Sequence, residues 1–309
     1  MGKVKNVLLA NGDSWTFGTE IAAPEFLVAP GETGYGLGKR FKKDCHCHMP
    51  YNDYYRIPRI WPSYLGNLLD IPEVVNIARP GRSNDTIYDT TIGWILENYI
   101  SKNKSTEDLL VVIGWSSPER KNIIINEMVD RKETTTWFTI WPLMTETTYY
   151  HSPLVKEFFK FYVLHQWAEQ EYLKRYVEQN MQLQNFCELY NIDYYVFNAF
   201  YAQPGLSPHQ WTDISVIDQI NKWSNLKAGQ GDLVYNWDFI KNTLRHQWNM
   251  VSKQAFVNKD QPHGSFRSYI FDNVDVSVRM CNWHPSPESH EAWANYLFKY
   301  ITNEDSNLL

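Results

Sequence analysis

With 309 residues, 43% of them hydrophobic, the chain has enough apolar material for one large domain or two small ones around a real core. Its 29 basic against 35 acidic residues leave a net charge of −6, which argues against general nucleic-acid binding, where a basic surplus is needed. No stretch approaches the roughly 18 apolar residues of a membrane span, and Lys3 and Lys5 precede only about five apolar residues, too few for a secretory leader.

In chain order, the first expected element is a buried strand at Val7–Ala10, running straight into Asn11, Gly12, Asp13 and Ser14. Further apolar runs at Val74–Ala78, Leu109–Ile113 and Tyr194–Phe197 read as strands of the same kind, each followed by turn residues. Between them, Ile87, Ile92, Ile95, Leu96, Tyr99 and Ile100 fall largely on one helical face, with Ser83 or Asn84 as the cap. A long helical region is expected over about Val155 to Tyr190, with Phe158, Phe161, Tyr162, Tyr172, Tyr176, Phe186 and Leu189 among its apolar positions. The last helix should start after His284, with Ser286 as N-cap, Pro287 as first residue and Glu288 at the positive end of the dipole. Its inward stripe would be Trp293, Tyr296, Leu297, Tyr300 and Ile301.

Strands alternating with helices predict an α/β fold, a three-layer α/β/α sandwich with a mostly parallel, flavodoxin-like central sheet. The expectation is a single domain over 1–309. Loop-rich insertions near 18–60 and 201–265 sit at one end of the sheet. In such sheets chemistry collects at the C-terminal ends of the strands. Three of these ends carry suggestive residues: Gly12-Asp13-Ser14, then Pro80-Gly81-Arg82-Ser83-Asn84-Asp85, then Gly114-Trp115-Ser116. Cys281-Asn282-Trp283-His284-Pro285 leads into the last helix.

A serine hydroxyl becomes nucleophilic when a base takes its proton, and a neutral histidine serves near pH 7. An oxyanion needs preorganised donors, and backbone N–H groups at Ser14 and Gly81 would supply two. Asp13 is read as a structural residue of the turn, Asn84 and Asp85 as helix-capping residues, and Arg79, Arg82 and Arg120 as solvated or ion-paired.

This arrangement resembles the SGNH, or GDSL-type, hydrolase superfamily. The blocks PGRSND and GWSSPER look most like SGNH-like proteins encoded by tailed bacteriophages. The resemblance implies the SGNH hydrolase fold, with Ser14 as nucleophile, His284 as base, and Ser14, Gly81 and Ser116 at the oxyanion hole. It implies a serine esterase or deacylase acting on an acyl ester, with no cofactor.

The sequence departs from that pattern twice. Ser116 stands where the pattern has asparagine, and Cys281 where it has the aspartate that orients the histidine. Asn84, Asn282 and Cys281 are therefore accessory candidates, and a main-chain carbonyl, Asp272 or Asp275 could stand in for the missing acid. The same departures leave a second class open: a weak or inactive SGNH-fold protein that binds glycan or builds a virion.

Aromatic residues make up 16% of the chain, with 13 Trp and 20 Tyr; beyond the core, they suit stacking on sugar rings, so a small-molecule or carbohydrate ester is the expected substrate. Nucleic acid and membrane are not expected partners. The expected setting is cytoplasmic, or virion-associated if phage-encoded. Four cysteines are too few for a disulfide scaffold. The cluster Asp44-Cys45-His46-Cys47-His48 does not have the usual spacing of paired zinc ligands, and no metal site is expected there unless His151, His209, His246 or His263 converge on it.

Overall fold

The computed structural model describes residues 4–27, 50–118, 120–129, 132–140, 158, 161–162, 169–199, 244–257, 265–281 and 284–303. Four parallel strands form the main sheet: β1 (Val7–Asn11), β2 (Glu73–Asn76), β3 (Leu109–Trp115) and β6 (Asp193–Asn198). Their spatial order is β2-β1-β3-β6, with Leu9 opposite both Val75 and Val111, and Val112 opposite Tyr195. Beyond β6, Val196 N–H donates to Ala255 O at 2.8 Å and Val257 N–H to Val196 O at 2.9 Å, so residues 255–257 occupy a fifth parallel position.

Burial on both faces explains why the strands read as continuous apolar runs. Leu8, Ala10, Leu110, Val112 and Phe197 point to one face. They pack there against α3 (Trp61–Leu68), α7 (Phe266–Asn273) and α8 (Pro287–Thr302). Val7, Leu9, Val111, Ile113 and Val196 point to the other face, where α4 (Asn84–Asn98) and α5 (Glu169–Leu189) cover them. The architecture is therefore a three-layer α/β/α sandwich with a parallel central sheet. Among the described residues no helix is long and apolar enough to cross a membrane.

Several boundaries differ from expectation for local reasons. β2 ends at Asn76, not Ala78, because the Asn76 side chain captures Ala78 N–H at 3.0 Å and bends the chain away. In α4 the buried positions are Ile87, Thr91 and Ile95, whereas Leu96 is exposed. Thr91 is inside because its hydroxyl bonds Ile87 O at 2.7 Å and accepts from Asn11 Nδ2 at 2.8 Å. Ser83 caps this helix. Leu189, Phe158 and Phe161 are exposed, while Tyr172 and Tyr176 are buried. α8 starts as expected, with Ser286 Oγ accepting from Ser289 N–H at 3.2 Å.

Several elements were not anticipated: α3, the short helix α6 (Arg245–Met250), α7, and an antiparallel hairpin of β4 (Lys121–Val129) and β5 (Lys132–Ile140). The base of the hairpin is tied to the start of α4, where Asp85 Oδ2 accepts from Asn122 N–H at 3.0 Å. Asp85 also accepts from Gln179 Nε2 at 2.7 Å and pairs with Arg175 Nε at 3.2 Å, so it joins three elements instead of capping one. Of two further short helices, α1 (Ser14–Phe17) lies just before the region expected to be loop-rich and α2 (Asp53–Arg56) lies within it. Most of the expected insertion at 201–265 lies outside the described residues, as do residues 155–157, 159–160 and 163–168 of the long helical region and the cluster from Cys45 to His48.

Candidate active site

β1 delivers its C-terminal end to the edge of the sheet between β2 and β3. Asn11, fully buried, anchors that end: its Nδ2 bonds Ile87 O at 2.9 Å and Thr91 Oγ1, and its Oδ1 accepts from Gly12 N–H at 2.8 Å. Gly12 then passes between Thr16 and β3. A Cβ at Gly12 would lie 2.2 Å from Thr16 Oγ1 and 2.9 Å from Gly114 O, so only glycine fits. Asp13 caps α1 by accepting from Trp15 N–H at 3.0 Å, and Ser14 opens that helix, 7% exposed.

Asp13 does more than shape the turn. Its second oxygen accepts from Ser116 Oγ at 2.8 Å and faces Arg120 at 3.4 Å. Arg120 in turn donates to Ser116 Oγ at 2.9 Å. Burial raises the Asp13 pKa; Arg120, Trp15 N–H, Ser116 and His284 oppose that shift in decreasing order. The Ser116 hydroxyl proton is thus directed to Asp13, and the group would have to rotate to serve an oxyanion. Beside it, Asn84 Nδ2 donates to Ser116 O at 3.2 Å, while the buried Asn84 Oδ1 makes no hydrogen bond.

The loop after β2 is held to the turn that bears Ser14. Ile77 N–H donates to Ala10 O at 3.0 Å, Arg79 N–H to Gly12 O at 3.4 Å, and Asn76 Nδ2 to Thr16 O at 3.1 Å. Gly81 follows at φ +77°, a left-handed conformation, with open space where a Cβ would be. Arg82 turns inward to bond Ile77 O at 2.9 Å and Thr90 Oγ1 at 3.1 Å. It therefore holds the loop together rather than facing outward.

His284, largely buried, precedes α8. Cys281 N–H donates to His284 O at 2.9 Å, a tight turn that fixes the approach to the helix. The finding that the sequence did not foreshadow is Glu20. Its Oε2 accepts from His284 N–H at 3.2 Å and lies 3.3 Å from His284 Nδ1. Nδ1 makes no hydrogen bond, so this 3.3 Å approach is a contact and not a formed bond.

Glu20 follows directly on the turn in which Gly18 N–H and Thr19 N–H both bond Ser14 O at 3.0 Å. His284 is therefore brought to the segment that carries Ser14. The acids considered from sequence lie elsewhere: Asp275 is exposed and spends its Oδ1 on Ser277, and Asp272 is exposed on α7. Asn282 lies outside the described residues. Among the described residues no group of three or more metal-ligating side chains occurs.

Residues 44–222, more than half of the chain, match the family of unknown function DUF6071. The chain belongs to this family. The matched segment contains Gly81, Asn84 and Ser116 but neither Ser14 nor His284. No curated protein matches the chain. Among solved structures, it is similar to a protein from Desulfitobacterium hafniense DCB-2 described as lipolytic and of the G-D-S-L family. That match has 15% identity and a TM-score of 0.36, and it covers 96% of this chain and 99% of the other. A carbohydrate esterase family 2 enzyme with a carbohydrate-binding domain, from Corynascus thermopiles, matches at 11% identity and TM-score 0.41, over 98% of this chain and 68% of the other. Phospholipase A1 from Streptomyces albidoflavus NA297 matches at 11% identity and TM-score 0.35, over 97% and 99%.

Proposed function

We propose that this member of DUF6071 is a serine hydrolase that cleaves acyl esters through Ser14 and His284. The observation that carries the reading is the arrival of His284 and Glu20 at the turn that bears Ser14. The Ser14 Oγ attacks the ester carbonyl carbon as His284 Nε2 takes its proton. The C–O bond that forms leaves a tetrahedral oxyanion, for which Ser14 N–H and Gly81 N–H are the proposed donors. Collapse breaks the bond to the leaving oxygen, which takes the proton from His284. Water, deprotonated by the same ring, then attacks the acyl-serine and releases the acid.

Within this mechanism Ser116 and Asp13 hold the nucleophile turn in place, and Asn84 supports Ser116 from the start of α4. The proposed substrate is an acyl ester carried on a carbohydrate. Exposed Tyr51 and Tyr54 support that class, because they flank Asn52, whose amide is bonded to the loop that carries Glu20. The test is hydrolysis of acetylated sugars and of a short-chain aryl ester by the wild type and by Ser14→Ala. Turnover that vanishes in the variant is expected; equal rates would reject the assignment.

A further inference from the structure

We infer that Glu20 is the positioning acid of His284, supplied from the nucleophile's side of the site instead of from the histidine's own loop. This rests on the serine-hydrolase reading above. Position 281, three residues before the histidine, holds a cysteine, and a neutral thiol cannot balance an imidazolium. The carboxylate that reaches His284 comes from six residues after Ser14. One oxygen of it contacts both the backbone N–H and the Nδ1 of the same histidine, at 3.2 and 3.3 Å. The backbone bond fixes the carboxylate against His284, and a small rotation of the ring would turn the 3.3 Å approach at Nδ1 into a hydrogen bond that sets its plane and tautomer. With the proton on Nδ1 facing Glu20, Nε2 is left free to accept the proton of Ser14.

The backbone supports the same conclusion. Glu20 sits at φ +70°, a conformation that side-chain-bearing residues seldom adopt. Residues in such conformations persist where surrounding structure over-determines them. Here the clamp is visible on both sides. Buried Asn52 donates to Ile21 O at 2.8 Å and accepts from Ala23 N–H at 3.0 Å. Buried Arg56 donates to Phe17 O and stacks 3.7 Å over the Phe17 ring. Ile21 and Ala23 are themselves buried. The loop is fixed at the residues before and after Glu20, and its largely buried carboxylate lies against His284.

The test compares Glu20→Gln, Glu20→Asp and Glu20→Gly with the wild type and with Ser14→Ala. Glu20→Gln is expected to lower kcat by at least about 100-fold, with KM within about threefold, on the scale seen when an orienting carboxylate becomes an amide. Glu20→Asp should recover part of that loss. Glu20→Gly relieves the left-handed backbone, so it should be no less stable than the wild type and still be slow. Independently of turnover, the Nδ1 proton of His284 should give a low-field resonance in Ser14→Ala that is lost in the Ser14→Ala, Glu20→Gln double variant. A Glu20→Gln enzyme within about threefold of wild-type kcat, alongside a dead Ser14→Ala, would overturn the role of Glu20 and leave the hydrolase reading standing. Persistence of the low-field resonance in the double variant would overturn it as well. An active Ser14→Ala would instead remove the hydrolase reading itself.

Discussion

The hydroxyl of Ser116 donates a 2.8 Å hydrogen bond to the buried carboxylate of Asp13 and ties the end of β3 to the turn that presents Ser14. Position 116 is where a direct oxyanion donor would be sought. Its proton is instead spent on Asp13, the residue before Ser14.

Ser116→Ala is therefore expected to act mainly on stability. Removing a hydrogen bond to a buried charged group costs about 1.5–3 kcal/mol. kcat/KM should fall by less than about tenfold, against the 100- to 1000-fold loss expected for a true oxyanion donor. Urea unfolding and ester kinetics on one preparation separate the two, and a loss of the larger size with unchanged stability would return Ser116 to the oxyanion hole.

The two site glycines should fail differently when replaced by alanine. At Gly12 the added methyl meets Thr16 Oγ1 at 2.2 Å and the backbone at Gly114, so the turn must move; a cost of about 1–3 kcal/mol is expected, with activity lost too. At Gly81 nothing lies within 4 Å, and only the left-handed backbone resists, worth about 1–2 kcal/mol. Denaturation midpoints check the stability costs. A further Thr16→Ala change removes the 2.2 Å contact but leaves Thr16 Cβ at 2.7 Å and Gly114 O at 2.9 Å, so it should relieve Gly12→Ala only in part and leave Gly81→Ala unaffected.

His290 gives the fold a pH dependence of its own. It is fully buried in α8, its Nδ1 accepts from Trp61 N–H at 3.1 Å, and its Nε2 makes no hydrogen bond. Burial, helped by the charges of His284 and Arg56, lowers its pKa to about 3. The folded protein keeps this ring neutral down to that pH, while the unfolded chain protonates it near the ordinary histidine value of about 6.5. Between these values the unfolded state binds the extra proton. Stability should fall as pH drops from about 6.5 towards 3, by up to about 1.4 kcal/mol per pH unit from this group. In His290→Gln the slope of stability against pH, measured between about pH 4 and 6, should shrink by up to that amount. An unchanged slope would contradict the assignment.

How much of this was legible in the sequence follows from what each feature depends on. The parallel strands were readable because burial on both faces leaves an unbroken apolar run at Val7–Ala10 of β1 and throughout β3. The start of α8 was readable because Ser286, Pro287 and Glu288 are local capping chemistry. The turns that carry Ser14 and Gly81 were readable because a turn after a strand leaves its mark in glycine. Glu20 was not: it belongs to no periodic element, and its proximity to His284 depends on tertiary contacts between Asn52, Arg56 and the loop after α1. The β4–β5 hairpin was hidden too. Three consecutive isoleucines and three consecutive threonines break the alternation by which a hairpin is recognised. α7 is two turns long and carries only Phe266 and Ile270 as a buried pair, too short a pattern to stand out.

The central claim is that Ser14 is an activated nucleophile, and labelling by a fluorophosphonate tests it without knowledge of the substrate. Intact-mass measurement and peptide mapping should find one phosphonyl group per chain, on Ser14, with labelling slowed strongly in His284→Ala. A folded protein that takes up no label, or takes it up equally with and without His284, would contradict the account.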